Sequence, residues 1–127
     1  MEVIFAGRPV VSCAYNTAAL MPMPYGVGDM VNYVGHPLNR EELRRVSLLI
    51  QVGANDNNAN EVPRQFDSYS GKDRVARAAA FVSALLALDV NSRLSIYPNA
   101  GHEITYDMRK TALQFLRDEE LSKKLND

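Results

Sequence analysis

The chain holds a single cysteine, Cys13, in 127 residues. One thiol excludes an intrachain disulfide framework and any Cys-x-x-Cys metal or redox site, and the expected setting is reducing and cytoplasmic. Charge of one sign is also scarce as a block. Fourteen Lys and Arg against fifteen Asp and Glu give a formal net charge of -1, and no basic run stands clear of acidic neighbours. Such a surface offers little to a phosphate backbone, so nucleic acid is set aside as a partner. Every apolar run falls short of the roughly 20 residues that span a bilayer, and no basic segment precedes Val3-Ile4-Phe5. Neither a membrane partner nor export is expected. Finally, no serine is flanked by glycines at two-residue spacing on both sides.

What is present is ordinary globular composition, 46% hydrophobic and 23% charged, enough for one domain over residues 1–127 with a real core. Val3-Ile4-Phe5-Ala6 reads as a buried strand ended by Gly7-Arg8-Pro9, so residues 1–9 supply a core strand. Residues 10–45 follow as a lid-like loop and a short helix. Val10 to Asn39 lacks periodicity and carries Met21-Pro22-Met23-Pro24-Tyr25, either a substrate-facing lid or a packed surface excursion. Asn39 can cap a helix over Arg40 to Arg45, with Glu41 and Glu42 in the first turn, where the helix dipole favours acids.

Val46 to Val52 is nearly all apolar, which predicts a strand covered on both faces, the habit of parallel sheets. A polar loop runs from Gly53 to Gly71. Ser70-Gly71-Lys72-Asp73 fits a capping box, and the helix after it places Val75, Ala78, Ala79, Val82, Leu85 and Leu86 on one face, with Arg74 and Arg77 elsewhere. Arg93 to Tyr97 alternates and predicts a strand near the sheet edge. A last helix from about Thr105 buries Ile104, Met108, Ala112, Phe115 and Leu116, and the charged tail 119–127 frays. The order strand, helix, strand, helix predicts an α/β domain: a partial doubly wound, mainly parallel sheet of about three strands flanked by helices.

Two residues in this frame carry chemistry. Asp56 and His102 each follow the end of a predicted strand, and a single helix separates those strands, so both loops open at one sheet edge. There a carboxylate can accept the Nδ1 proton of an imidazole and leave Nε2 as a base. Other features read more blandly. Asp56, Asn58 and Asn60 imitate the start of a calcium loop, but Glu61 fills the required glycine position and Asp67 stands where Glu is needed. His36 has no carboxylate or cysteine at ligand spacing. Ser12 and Cys13 lack a glycine elbow, Glu103 complements the last helix dipole, and Gly26-Val27-Gly28 is no dinucleotide fingerprint. No cofactor or metal is expected.

Val52-Gly53-Ala54-Asn55-Asp56 and Pro98-Asn99-Ala100-Gly101-His102, in that order and strand context, resemble the acid and histidine loops of the C-terminal half of an α/β-hydrolase, over residues 46–118. The resemblance implies that fold, with Asp56 as triad acid and His102 as general base. It also implies a small-molecule acyl substrate, an ester, thioester or amide of fairly apolar character. The family's G-x-S-x-G elbow is absent, so activity is expected only with a complementing N-terminal half that brings the nucleophile, as in a truncated gene product. The alternative is a non-catalytic α/β module that forms a homo-oligomer through an open sheet edge near Val3 to Ala6.

Overall fold

The computed structural model describes residues 27–126, together with the backbone of residues 2–5 and 8–11. Strands β1 (Glu2–Phe5) and β2 (Arg8–Val11) pair antiparallel, with Phe5 opposite Arg8. The apolar strand stops at Phe5, and Arg8 and Pro9, expected only to end it, open a second strand. Pro9 is accommodated because β2 lies at a margin of the described sheet, where proline is tolerated. Of the expected excursion from Val10 to Asn39, Val10 and Val11 belong to β2, and Met30–Val34 forms a short helix, α1, closed by Gly35 at φ 79. Ser12, Cys13 and the Met-Pro-Met-Pro-Tyr run lie outside the described residues. Helix α2 (Arg40–Arg44) starts as predicted, with Asn39 Oδ1 accepting from the Glu42 backbone N–H at 3.1 Å.

Strand β3 (Leu48–Gly53) is buried at all six positions, because each of its faces meets a helix. Leu48, Ile50 and Val52 pack with Ala78, Phe81, Val82 and Leu85 of helix α4 (Arg74–Ala87). Leu49, pointing the other way, packs on Phe115 of helix α5 (Tyr106–Asn126). Strand β4 (Ser92–Tyr97) runs parallel to β3, from Leu48 opposite Ser92 to Gly53 opposite Tyr97. The chain is thus α/β, with a β3–α4–β4 unit and helices on both faces.

Parallel pairing stops there, which corrects the expectation of a mainly parallel sheet. The strand order is β2-β1-β3-β4, and β1 runs antiparallel to β2 and to β3. An apolar run specifies burial but not direction, so the sequence pattern could not distinguish the two senses. The same order corrects the expected open edge at Val3 to Ala6: β1 has a neighbour on each side, and the margins of the described sheet are β2 and β4.

Helix α4 differs from its predicted phase and start. Asp73, not Ser70, caps it, accepting from the Ala76 N–H at 2.9 Å, while the Ser70 hydroxyl donates to the Phe66 carbonyl. Its buried face is Arg74, Arg77, Ala78, Phe81, Val82 and Leu85, leaving Ala79 and Leu86 exposed. The two arginines belong to the inner stripe because a folded-back loop, described below, covers the first turns of the helix. The helix ends in a Schellman arrangement: Val90 N–H donates to Leu85 O and Asp89 N–H to Leu86 O, with Asp89 in the left-handed region at φ 59. On α5, Met108 and Phe115 are buried, but Ile104 lies before the helix and is exposed. The charged tail expected to fray continues the helix to Asn126. Among the described residues no helix is long and apolar enough to cross a membrane.

Candidate active site

Adjacent parallel strands end on the same side of a sheet, and the backbone following β3 is sewn to the backbone following β4. Ala54 N–H donates to Tyr97 O at 2.8 Å and Asn55 N–H to Ala100 O at 2.9 Å. Gly53 makes this approach possible, since a Cβ there would overlap the carbonyl oxygens of Ala100 and Gly101. A tight turn, with Asp56 N–H donating to Gly53 O at 3.0 Å, then aims Asp56 back beneath the histidine loop.

The two residues singled out from the sequence meet. His102 Nδ1 lies 2.9 Å from Asp56 Oδ2. Asp56 is only 3% exposed, whereas the His102 side chain is 47% exposed. With the carboxylate ionised it can only accept, so Nδ1 carries the proton, and in the neutral imidazole the free lone pair is then on Nε2. Nothing among the described residues hydrogen-bonds Nε2.

A third side chain, absent from the sequence reading of the site, completes the cluster. Arg74, 8% exposed, donates from one terminal nitrogen to Asp56 Oδ1 at 2.9 Å and to Glu61 Oε2 at 2.6 Å, and from the other to the Glu61 carbonyl at 3.2 Å. Burial alone would push the Asp56 carboxyl up. Hydrogen bonds from His102 and Arg74, with the charge of Arg74, outweigh it and hold Asp56 below its ordinary 3.8. Glu61 is likewise lowered, chiefly by the Arg74 hydrogen bond and then by that from Asn58. The signal for Arg74 was available: it lies four residues before Ala78, on the upstream extension of the stripe Ala78, Phe81, Val82, Leu85.

The loop from Gly53 to Gly71 is ordered by short turns. Ala59–Glu61 and Arg64–Phe66 are single 3-10 turns, followed by helix α3 (Asp67–Ser70). Arg77 clasps the loop from below, donating to Gly71 O at 3.1 Å, Pro63 O at 2.6 Å and Asp67 Oδ1 at 3.3 Å. Gln51, buried on the α5 face of β3, accepts from the Tyr97 hydroxyl at 2.5 Å and donates to Met108 O at 3.2 Å, tying the α5 start to both strands.

The remaining candidates have local roles. Asn58 Oδ1 accepts from the Asn60 N–H and caps a 3-10 turn, while Asp56 turns towards Arg74 and His102, so the calcium-loop positions do not converge. Glu103 precedes α5 rather than joining its first turn, and Thr105 Oγ1 takes the Met108 N–H instead. Among the described residues His36 hydrogen-bonds to its neighbour, the Pro37 carbonyl, at 3.0 Å. Among the described residues no group of three or more His, Cys, Asp or Glu could hold a metal ion. No protein-family model, curated protein or solved structure matches the chain.

Proposed function

We propose that this chain carries the acid–base half of an acyl-transfer hydrolase of the α/β-hydrolase type, acting in the cytoplasm on an ester, thioester or amide of a small, fairly apolar substrate. The observation that carries the reading is the 2.9 Å contact between a buried Asp56 and the Nδ1 of a half-exposed His102, both just past the ends of adjacent parallel strands. In this reading Nε2 removes the proton of an attacking hydroxyl and later returns it to the leaving group, while the Asp56 carboxylate stabilises the transient imidazolium. Water then attacks the acyl intermediate, with His102 again as base. The sequence has no G-x-S-x-G elbow, so the nucleophile comes from a segment outside these 127 residues.

The test is complementation. The chain is co-expressed with the N-terminal half of an α/β-hydrolase bearing G-x-S-x-G and assayed with short-chain p-nitrophenyl esters and a fluorophosphonate probe. The reading expects turnover and probe labelling from the pair, none from this chain alone, and loss of both on His102→Ala. Members of such a triad act as a unit, so the histidine variant should lose about three orders of magnitude or more. A complex that forms and labels equally well with alanine at 102 sinks the proposal.

A further inference from the structure

Among the described residues, His102 and Arg74 contact the Asp56 carboxylate through different oxygens. His102 contacts Oδ2 and Arg74 contacts Oδ1, each at 2.9 Å, and the carboxylate between them is almost wholly buried. Arg74 is itself held, since the nitrogen that reaches Asp56 also meets Glu61 Oε2, and its second terminal nitrogen meets the Glu61 carbonyl. The result is a chain of alternating charge from the exposed Glu61 through Arg74 and Asp56 to the imidazole.

We infer that Arg74 is a positioning residue for the acid–base pair, fixing Asp56 as an obligate acceptor and thereby fixing the tautomer of His102. This rests on reading Asp56 and His102 as such a pair. A buried carboxylate without a cation beside it favours taking up a proton. Once protonated it can turn its O–H to Nδ1, and the imidazole then carries its own proton on Nε2, where it cannot act as a base. Arg74 opposes this in two ways. Its charge favours the ionised carboxylate, and its hydrogen bond pins Oδ1 so that Oδ2 keeps facing the ring. The guanidinium fork suits this task because a single planar group spans Asp56 and both the side chain and backbone of Glu61.

Nitrogen-15 NMR of histidine-labelled protein reads the tautomer directly, with exposed His36 as an internal reference. Wild type is expected to show neutral His102 mainly as the Nδ1–H form. Arg74→Gln should lower the ratio of Nδ1–H to Nε2–H forms by about tenfold, the worth of one charge-assisted hydrogen bond. Arg74→Lys, which restores charge without the fork, should fall between. A folded Arg74→Gln protein with the wild-type ratio overturns the inference. If that variant does not fold, Arg74→Lys decides: a ratio below that of wild type supports the inference, and the wild-type ratio overturns it. The readout does not need turnover. Failed complementation with an arginine-dependent tautomer removes only the hydrolase reading, while an arginine-independent tautomer with intact turnover removes only this one.

Discussion

Gly53 sits so close beneath the Ala100 carbonyl that no side chain fits between them, and Asn55, two residues on, donates its N–H to that same carbonyl. The contact sets the distance between the two loops from which Asp56 and His102 project. Gly53→Ala should force the loops apart. Overpacking of this kind costs on the order of 1–3 kcal/mol. Denaturant unfolding should show that loss together with disappearance of the hydrogen-bonded Nδ1 proton of His102. An unchanged Nδ1 signal would show that the loops are not held by this contact.

Asp56 should shape the acid limb of stability. Its folded carboxyl lies below the ordinary 3.8, so its contribution is fully present above that value and is lost as pH falls through the lower folded value. Asp56→Asn removes the titration. Stability measured between pH 5 and pH 2, as a window of about three units around the ordinary carboxylate range, should fall less steeply in the variant than in wild type. Equal slopes would place the titrating group elsewhere.

Arg77 braces the loop that presents Asp56. It is 1% exposed and holds two carbonyls and the Asp67 carboxylate. Arg77→Met removes its donors from the Gly71 and Pro63 carbonyls and from Asp67 Oδ1 and should cost on the order of 3 kcal/mol in urea unfolding. Arg64 pairs with the same Asp67 at 2.9 Å but is half exposed, so Arg64→Met should cost less than about 1 kcal/mol. Comparable losses at the two positions would contradict the buried brace.

Gln51 joins two strands and a helix through one side chain. Gln51→Leu should leave the Tyr97 hydroxyl and the Met108 carbonyl without it, at about 1–3 kcal/mol. Adding Tyr97→Phe removes one of the stranded groups, so the double variant should be less unstable than the sum of the two singles. Strict additivity in the cycle would mean that the pair is not coupled.

Asp89 occupies a left-handed position that glycine adopts without strain. Among the described residues its side chain has one distant exposed partner, Arg44 at 3.9 Å. Asp89→Gly should therefore stabilise the protein by about 0.5 kcal/mol or more, read as a shift in the urea midpoint at constant slope. A destabilised variant would assign the Arg44 contact more weight than its geometry suggests.

Much of the fold was legible because local rules sufficed. The nearly all apolar run of β3 required cover on both faces, the alternation of β4 matched a strand at a margin of the described sheet, and Asn39 capped the helix that followed it. The α4 phase was not legible. A stripe beginning at Val75 satisfies helical periodicity almost as well as one including Arg74 and Arg77, and arginine is ordinarily counted as exposed. Only the loop folding back over the first turns makes those cations internal, and that is a contact between segments far apart in sequence.

The site divides in the same way. Sequence alone determined that Asp56 and His102 follow strands joined by a helical crossover, because β–α–β connectivity makes such strands neighbours whose ends share one edge of a sheet. Tertiary structure alone decided that the two side chains touch, through a backbone approach that only Gly53 allows. It alone placed Arg74 against the far oxygen of Asp56, and it ran β1 antiparallel to β3. Periodicity reports which face of an element is buried. It carries no information about strand direction, or about which buried charge meets which.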